Sequence, residues 1–134
     1  VTSMDLEDCL PRASLWNPST WARLQEAREQ NRRTLRAHLG ENQISQSSIG
    51  RVIAGGFQTP PGDDVFRPLQ SNEMIDTFSD GGHGWGNTYP SELPLLRLDQ
   101  IWASENLRTH SAETAPNPRS KHRLVVADLI LPDP

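Results

Sequence analysis

With 134 residues the chain has room for one domain at most. Leu, Ile, Val and Phe together number only 29, just above the share of roughly one fifth below which chains tend to stay disordered. Thirteen Lys and Arg against seventeen Asp and Glu leave a net charge of −4, which excludes a nucleic-acid binder that works by bulk positive charge. Cys9 stands alone, so there is no disulfide framework and no Cys-rich zinc site, and no apolar run is long enough to span a membrane. The first residue is Val1 rather than Met, as expected of a processed product or a segment of a longer polypeptide. The start also lacks the basic and apolar stretches of a secretory signal, so cytoplasm is the expected compartment.

Residues 1–16 show no sustained periodicity and read as an extended lead-in; residues 17–134 read as a single domain. Asn17-Pro18 has the chemistry of a helix start, with Asn17 as N-cap and Pro18 in the first turn, and Gly40 marks the stop. Between them Trp21, Leu24, Ala27, Leu35 and Leu39 form one apolar stripe, interrupted by Asn31. Arg28, Arg32 and Arg36 border that stripe every four residues and read as a solvated flank whose stems cover apolar edges. A polar loop over 41–48 leads to Gly50-Arg51-Val52-Ile53-Ala54-Gly55, a short β-branched run expected to be a buried strand. Thr59-Pro60-Pro61-Gly62-Asp63-Asp64 is loop and helix cap, followed by a short helix carrying Val65, Phe66 and Leu69 and a second helical turn around Met74, Ile75 and Phe78. Residues 79–94, rich in Gly and Pro, form a long irregular loop. Three strands are expected to close the chain, over 96–103, 106–114 and 123–131. Helix, strand, helices and then consecutive strands give an α+β fold, a mainly antiparallel sheet with helices on one face.

Polar residues gather in three segments at strand ends: Gly55-Gly56-Phe57-Gln58-Thr59-Pro60, Leu96-Arg97-Leu98-Asp99-Gln100-Ile101 and Arg119-Ser120-Lys121-His122-Arg123. Taken alone, Asp99 and His122 read as an ordinary buried hydrogen-bonded pair rather than a catalytic one. Gln58 fits a loop side chain bonded to nearby backbone, and Arg119 and Lys121 fit solvated loop charges or, with Arg123, a small anion site. His83 has no second His or Cys beside it and reads as a loop residue rather than a metal ligand. Trp85, Tyr89 and Trp102 read as packing aromatics, and Cys9 as a bystander thiol.

The order and contexts of these segments resemble the C-terminal half of the endonuclease/exonuclease/phosphatase superfamily, the DNase I-like divalent-metal phosphoesterases. In that family the first segment reads Gly-Asp-Phe-Asn, the second Arg-Ile-Asp-(Tyr/His/Gln)-Ile, and the third Ser-Asp-His-Arg before an apolar strand. The resemblance spans residues 18–131, with Arg28 and Asn31 near the pattern of the preceding helix and Gly86-Asn87-Thr88-Tyr89-Pro90 matching the loop before the second segment. It implies half of a four-layer α/β sandwich and Mg²⁺- or Mn²⁺-dependent hydrolysis of a phosphoester. It marks His122 and Asp99 as catalytic, the carboxylate orienting the imidazole, and Gln58 and Arg97 as substrate-binding. It assigns no metal ligand to this chain. Gly56 stands where the family has the Asp that activates water, and Lys121 where it has the Asp before the histidine, so an incomplete or impaired active site is expected. A sheet face left without its N-terminal half should present Val52, Ile101 and Val125 to that half or to a second copy. The alternative is a non-catalytic protein-interaction or self-associating module built on the same fold.

Overall fold

The computed structural model describes residues 18–41 and 50–132. The lead-in with Cys9, the expected cap Asn17 and the loop residues 42–49 lie outside them. The apolar stripe forms helix α1, Pro18–Glu41, of 24 residues. Such a helix is about 36 Å long, whereas the five-residue strand β1, Val52–Gly56, extends only about 17 Å. The helix is therefore about twice as long as that strand. Leu35 reaches the core at 7% exposure, while Trp21, expected on the same buried stripe, is 55% exposed. Asn31, the polar break in the stripe, donates from Nδ2 to the Phe57 carbonyl at 3.3 Å.

After β1 come a 3₁₀ turn, Asp64–Phe66, and a short helix α2, Arg67–Gln70. The turn begins at Asp63, whose Oδ1 accepts from the Val65 N–H at 3.0 Å while Oδ2 pairs with Arg28 at 2.6 Å. Arg28 is thus a tether between α1 and this cap as well as part of a solvated flank. Burial alone would raise the Asp63 carboxyl. The Arg28 hydrogen bond, the Val65 N–H and the positive charges of Arg28 and Arg32 outweigh it and hold its pKa below the ordinary 3.8. A carboxyl depressed by folding stabilises above its unfolded pKa and loses that contribution as the pH falls through the folded value. Asp63→Asn keeps a capping oxygen and removes the charge. We expect it to lower stability near neutrality by up to about 1 kcal/mol, since Arg28 is partly solvated. Denaturant titrations over a pH series should show that gap closing as the pH drops below 3.8.

The second helical turn expected around Met74 is instead strand β2, Met74–Asp76, followed by a one-turn helix α3, Thr77–Gly81. Three residues are too few to show a period, and pairing with β3, Asp99–Ser104, decides the conformation. The remaining strands are β4, Arg108–Ala115, and β5, Leu124–Ile130. The observed architecture is α+β, with an antiparallel three-stranded sheet in the order β1-β3-β2 and an antiparallel hairpin β4-β5. Leu35, Val65, Phe66, Leu69, Met74 and Trp102 form the core, with Ile53 and Phe57 packed against it.

Strand β1 is not buried as expected: as an edge strand it leaves Val52 50% exposed. Cross-strand pairing puts Val52, Ala54, Ile75 and Ile101 on the face away from the core. In β5 the parity is opposite to the expected one. Leu124, Val126 and Ile130 are exposed and Val125 turns to the half-buried side, since neighbouring residues of a strand point to opposite faces. Among the described residues no helix is long and apolar enough to cross a membrane.

Candidate functional site

The end of β1 and the start of β3 meet because the two strands run antiparallel, with Gly56 opposite Asp99. The segment that leads into β5 brings His122 to the same place. Its Nδ1 lies 2.7 Å from Asp99 Oδ2, across 23 positions of sequence. Both side chains are about a quarter exposed, at 24% and 23%. A carboxylate only accepts, so Nδ1 carries the proton in this pair and Nε2 is left for a ligand. The Thr88 hydroxyl, fully buried, accepts from the N–H groups of Leu98 and Asp99 at 3.1 and 3.2 Å. The Tyr89 ring lies 4.9 Å from the imidazole, centroid to centroid. Sequence reasoning passed over Thr88 and read Tyr89 as packing; the one signal was their place in the loop before the second segment.

Gly56 and Gln58 belong to the same spot. A β-carbon on Gly56 would stand 3.0 Å from Asp99 Oδ1 and 3.6 Å from Gln58 Nε2. Gln58 itself has φ of 52°, the left-handed region that a non-glycine residue seldom adopts. Two loops then close the site. Ser91 N–H donates to the Lys121 carbonyl at 2.7 Å and Arg123 N–H to the Thr88 carbonyl at 2.8 Å, while Arg123 Nε donates to the Ser91 carbonyl at 3.2 Å. Between the loops lies an open cleft of about 890 Å³ lined by Tyr89, Glu92, Arg119, Lys121 and Arg123 among others.

Arg97 is placed differently from the other three. It is 8% exposed and forms a bidentate pair with Asp76, Nη1 to Oδ1 at 3.3 Å and Nη2 to Oδ2, with its guanidinium 5.3 Å over the Phe78 ring. Asp76 also accepts from Phe78 N–H at 3.2 Å and Ser79 Oγ at 2.6 Å. Sequence reasoning did not single out Asp76. His83 is exposed and its N–H donates to the Ala112 carbonyl at 2.9 Å.

The donor set around Asp99 does not fit a Mg²⁺ or Mn²⁺ ion, which needs several oxygen ligands. Asp99 is already engaged by His122, and Gly56 offers no side chain. Among the described residues no group of three or more His, Cys, Asp or Glu could hold a metal ion.

No protein-family model and no curated protein matches the chain. Solved structures do resemble it. An endonuclease/exonuclease/phosphatase from Bacteroides vulgatus superposes with a TM-score of 0.66 at 20% identity, over 78% of this chain and 45% of that one. A mannosyl-6-phosphatase from Bacteroides thetaiotaomicron gives 0.65 at 12% identity, over 78% and 46%. Another endonuclease/exonuclease/phosphatase family protein from the same organism gives 0.65 at 13% identity, over 78% and 45%. The chain thus spans less than half the length of the structures it matches. At such identities the likeness is one of fold: the chain carries part of the endonuclease/exonuclease/phosphatase, or DNase I-like, fold.

Proposed function

We propose that this chain is part of a phosphoester hydrolase of the endonuclease/exonuclease/phosphatase kind and holds an impaired half of its active site. The observation that carries this reading is the Asp99–His122 pair, 2.7 Å apart with Gly56 beside it. Asp99 holds the imidazole by Nδ1, so that Nε2 can hydrogen-bond a phosphoryl oxygen or take part in proton transfer. Gln58 supplies an amide to the same oxygens. Gly56 can neither accept a proton nor hold a cation, and Lys121 brings a cation where an anion would be needed. The carboxylates are what is missing, while the apolar residues that make the fold are kept.

The triple variant Gly56→Asp, Gln58→Asn, Lys121→Asp, made in a chain that also carries the N-terminal half of the fold, tests the assignment. Mg²⁺ or Mn²⁺ should leave the melting temperature of the native chain unchanged and raise that of the triple variant, because an ion bound only by the folded state stabilises it. The variant should also gain EDTA-sensitive hydrolysis of bis-p-nitrophenyl phosphate that a further His122→Ala lowers by about 10²–10⁴-fold. No gain in metal stabilisation or turnover overturns the site reading, and metal-dependent turnover by the native chain overturns the impairment.

A second reading, a self-associating or partner-binding module, is favoured by the apolar residues on the uncovered faces, with Val52 at 50%, Leu124 at 51% and Val126 at 45% exposure. Sedimentation equilibrium distinguishes it: a dimer dispersed by Val126→Lys supports self-association, and a monomer at all concentrations removes it.

A further inference from the structure

We propose that Thr88 is a positioning residue for the Asp99–His122 pair: it holds the two backbones in register, so that the imidazole keeps its proton on Nδ1 and presents Nε2. The inference rests on the reading of this place as a half-site, but what it claims is tested without turnover. Thr88 is fully buried and is bonded to both sides of the pair. Its hydroxyl oxygen accepts from the N–H groups of Leu98 and of Asp99 itself, at 3.1 and 3.2 Å. Its carbonyl accepts from the N–H of Arg123, the residue after His122, at 2.8 Å, and its own N–H donates to the Leu96 carbonyl at 2.8 Å. One residue therefore fixes the backbone of the carboxylate and the backbone next to the imidazole, which are 23 positions apart in sequence. The following residue, Tyr89, sets its ring 4.9 Å from the imidazole, centroid to centroid, so the Thr88-Tyr89 step braces both the main chain and the ring.

A hydroxyl oxygen carries two lone pairs, and both are used here on main-chain N–H groups. Leu98 is 1% exposed, so its N–H is left buried and without a partner if the oxygen is lost. The Leu98 carbonyl in turn accepts from the Phe57 N–H at 2.8 Å, which ties the same segment to the end of β1 beside Gly56. The pair depends on this register because its hydrogen bond is short-ranged. Asp99 Oδ2 and His122 Nδ1 are 2.7 Å apart, and a drift of about 1 Å takes such a contact past the length at which it is a hydrogen bond. An imidazole released from its carboxylate takes whichever tautomer its remaining neighbours favour, and Nε2 is no longer kept as the acceptor. Valine has nearly the shape of threonine without the oxygen, whereas serine keeps the oxygen, so the two substitutions separate packing from hydrogen bonding.

Long-range proton–nitrogen spectra of the isotope-labelled native chain, taken at about pH 8.5 where imidazole is neutral, read the tautomer of each histidine, and His122→Ala assigns the ring. His122 should be protonated at Nδ1 in the native chain and in Thr88→Ser. In Thr88→Val that preference should be lost, with Nε2–H becoming the major form. Leu35→Ala opens a cavity in the core under α1 and breaks none of these bonds, so it should leave the tautomer as it is. Melting curves check that each variant is folded. Where Thr88→Val is not, Thr88→Cys takes its place and should show the same loss in part, sulfur being a weak acceptor. The proposal is overturned by Nε2–H in the native chain, by an unchanged tautomer in folded Thr88→Val or Thr88→Cys, by a loss in Thr88→Ser, or by an equal loss in Leu35→Ala. The hydrolase reading fails on different grounds: the triple variant then gains neither metal stabilisation nor turnover, while the His122 tautomer of the native chain still follows Thr88.

Discussion

Asp76→Ala should lower the unfolding free energy by about 3–5 kcal/mol, the cost of leaving a buried charge without its partner. Arg97 and Asp76 are 8% and 6% exposed, and both carboxylate oxygens are engaged by the guanidinium. Removing the carboxylate strands a buried cation over the Phe78 ring. It also deprives the first turn of α3 of its cap, since Asp76 accepts from the Phe78 N–H. Against a total stability of about 5–15 kcal/mol this is a large fraction. Urea unfolding followed by circular dichroism measures it, and a loss below about 1 kcal/mol would contradict the buried-pair account. The double variant Asp76→Ala, Arg97→Met should recover much of the loss, because an apolar pair avoids the desolvation cost altogether. The double variant also separates two roles for Arg97. Ligand binding that survives in it makes Arg97 a structural residue, and binding lost in a well-folded double variant makes it a ligand contact.

Phe66→Ala should cost a similar amount, about 3–5 kcal/mol. Phe66 is fully buried and sits between Phe57, edge-on at 5.4 Å between centroids, and Trp102, stacked at 5.3 Å. Those neighbours are the residues that follow Gly56 and share β3 with Asp99, so the ring anchors both strands whose ends form the site. The cavity left by alanine removes contacts from each. Phe66→Leu refills most of the volume and should cost less. A near-ultraviolet change on Phe66→Ala that disappears in a Trp102→Phe background would tie the loss to this cluster.

The long helix and the last two strands were legible in the sequence. Helix α1 and strands β4 and β5 stand where the patterns of 17–40, 106–114 and 123–131 put them, within a residue or two. Where the expectation failed, tertiary context outweighed local pattern. Met74-Ile75 became a strand because β3 offered an edge to pair with, and Trp21 stayed exposed although it belongs to the apolar stripe of α1. No spacing rule joins Asp76 to Arg97 or Asp99 to His122, which meet only through strand pairing and loop closure. The second of these pairs was suggested by the resemblance of three segments. The first carries no motif, and Thr88, whose hydroxyl accepts two backbone N–H groups at the site, looks in sequence like any loop threonine.

The bonds that join the two loop walls have a consequence for how the cleft would meet a ligand. Because Ser91, Lys121, Thr88 and Arg123 are tied to one another by the chain's own hydrogen bonds, little loop entropy remains to be lost on association. Capture should therefore proceed at a rate set by diffusion and charge steering rather than by slow loop rearrangement. Cutting one tie, for instance with Arg123→Met, should then show as slower arrival as well as faster departure.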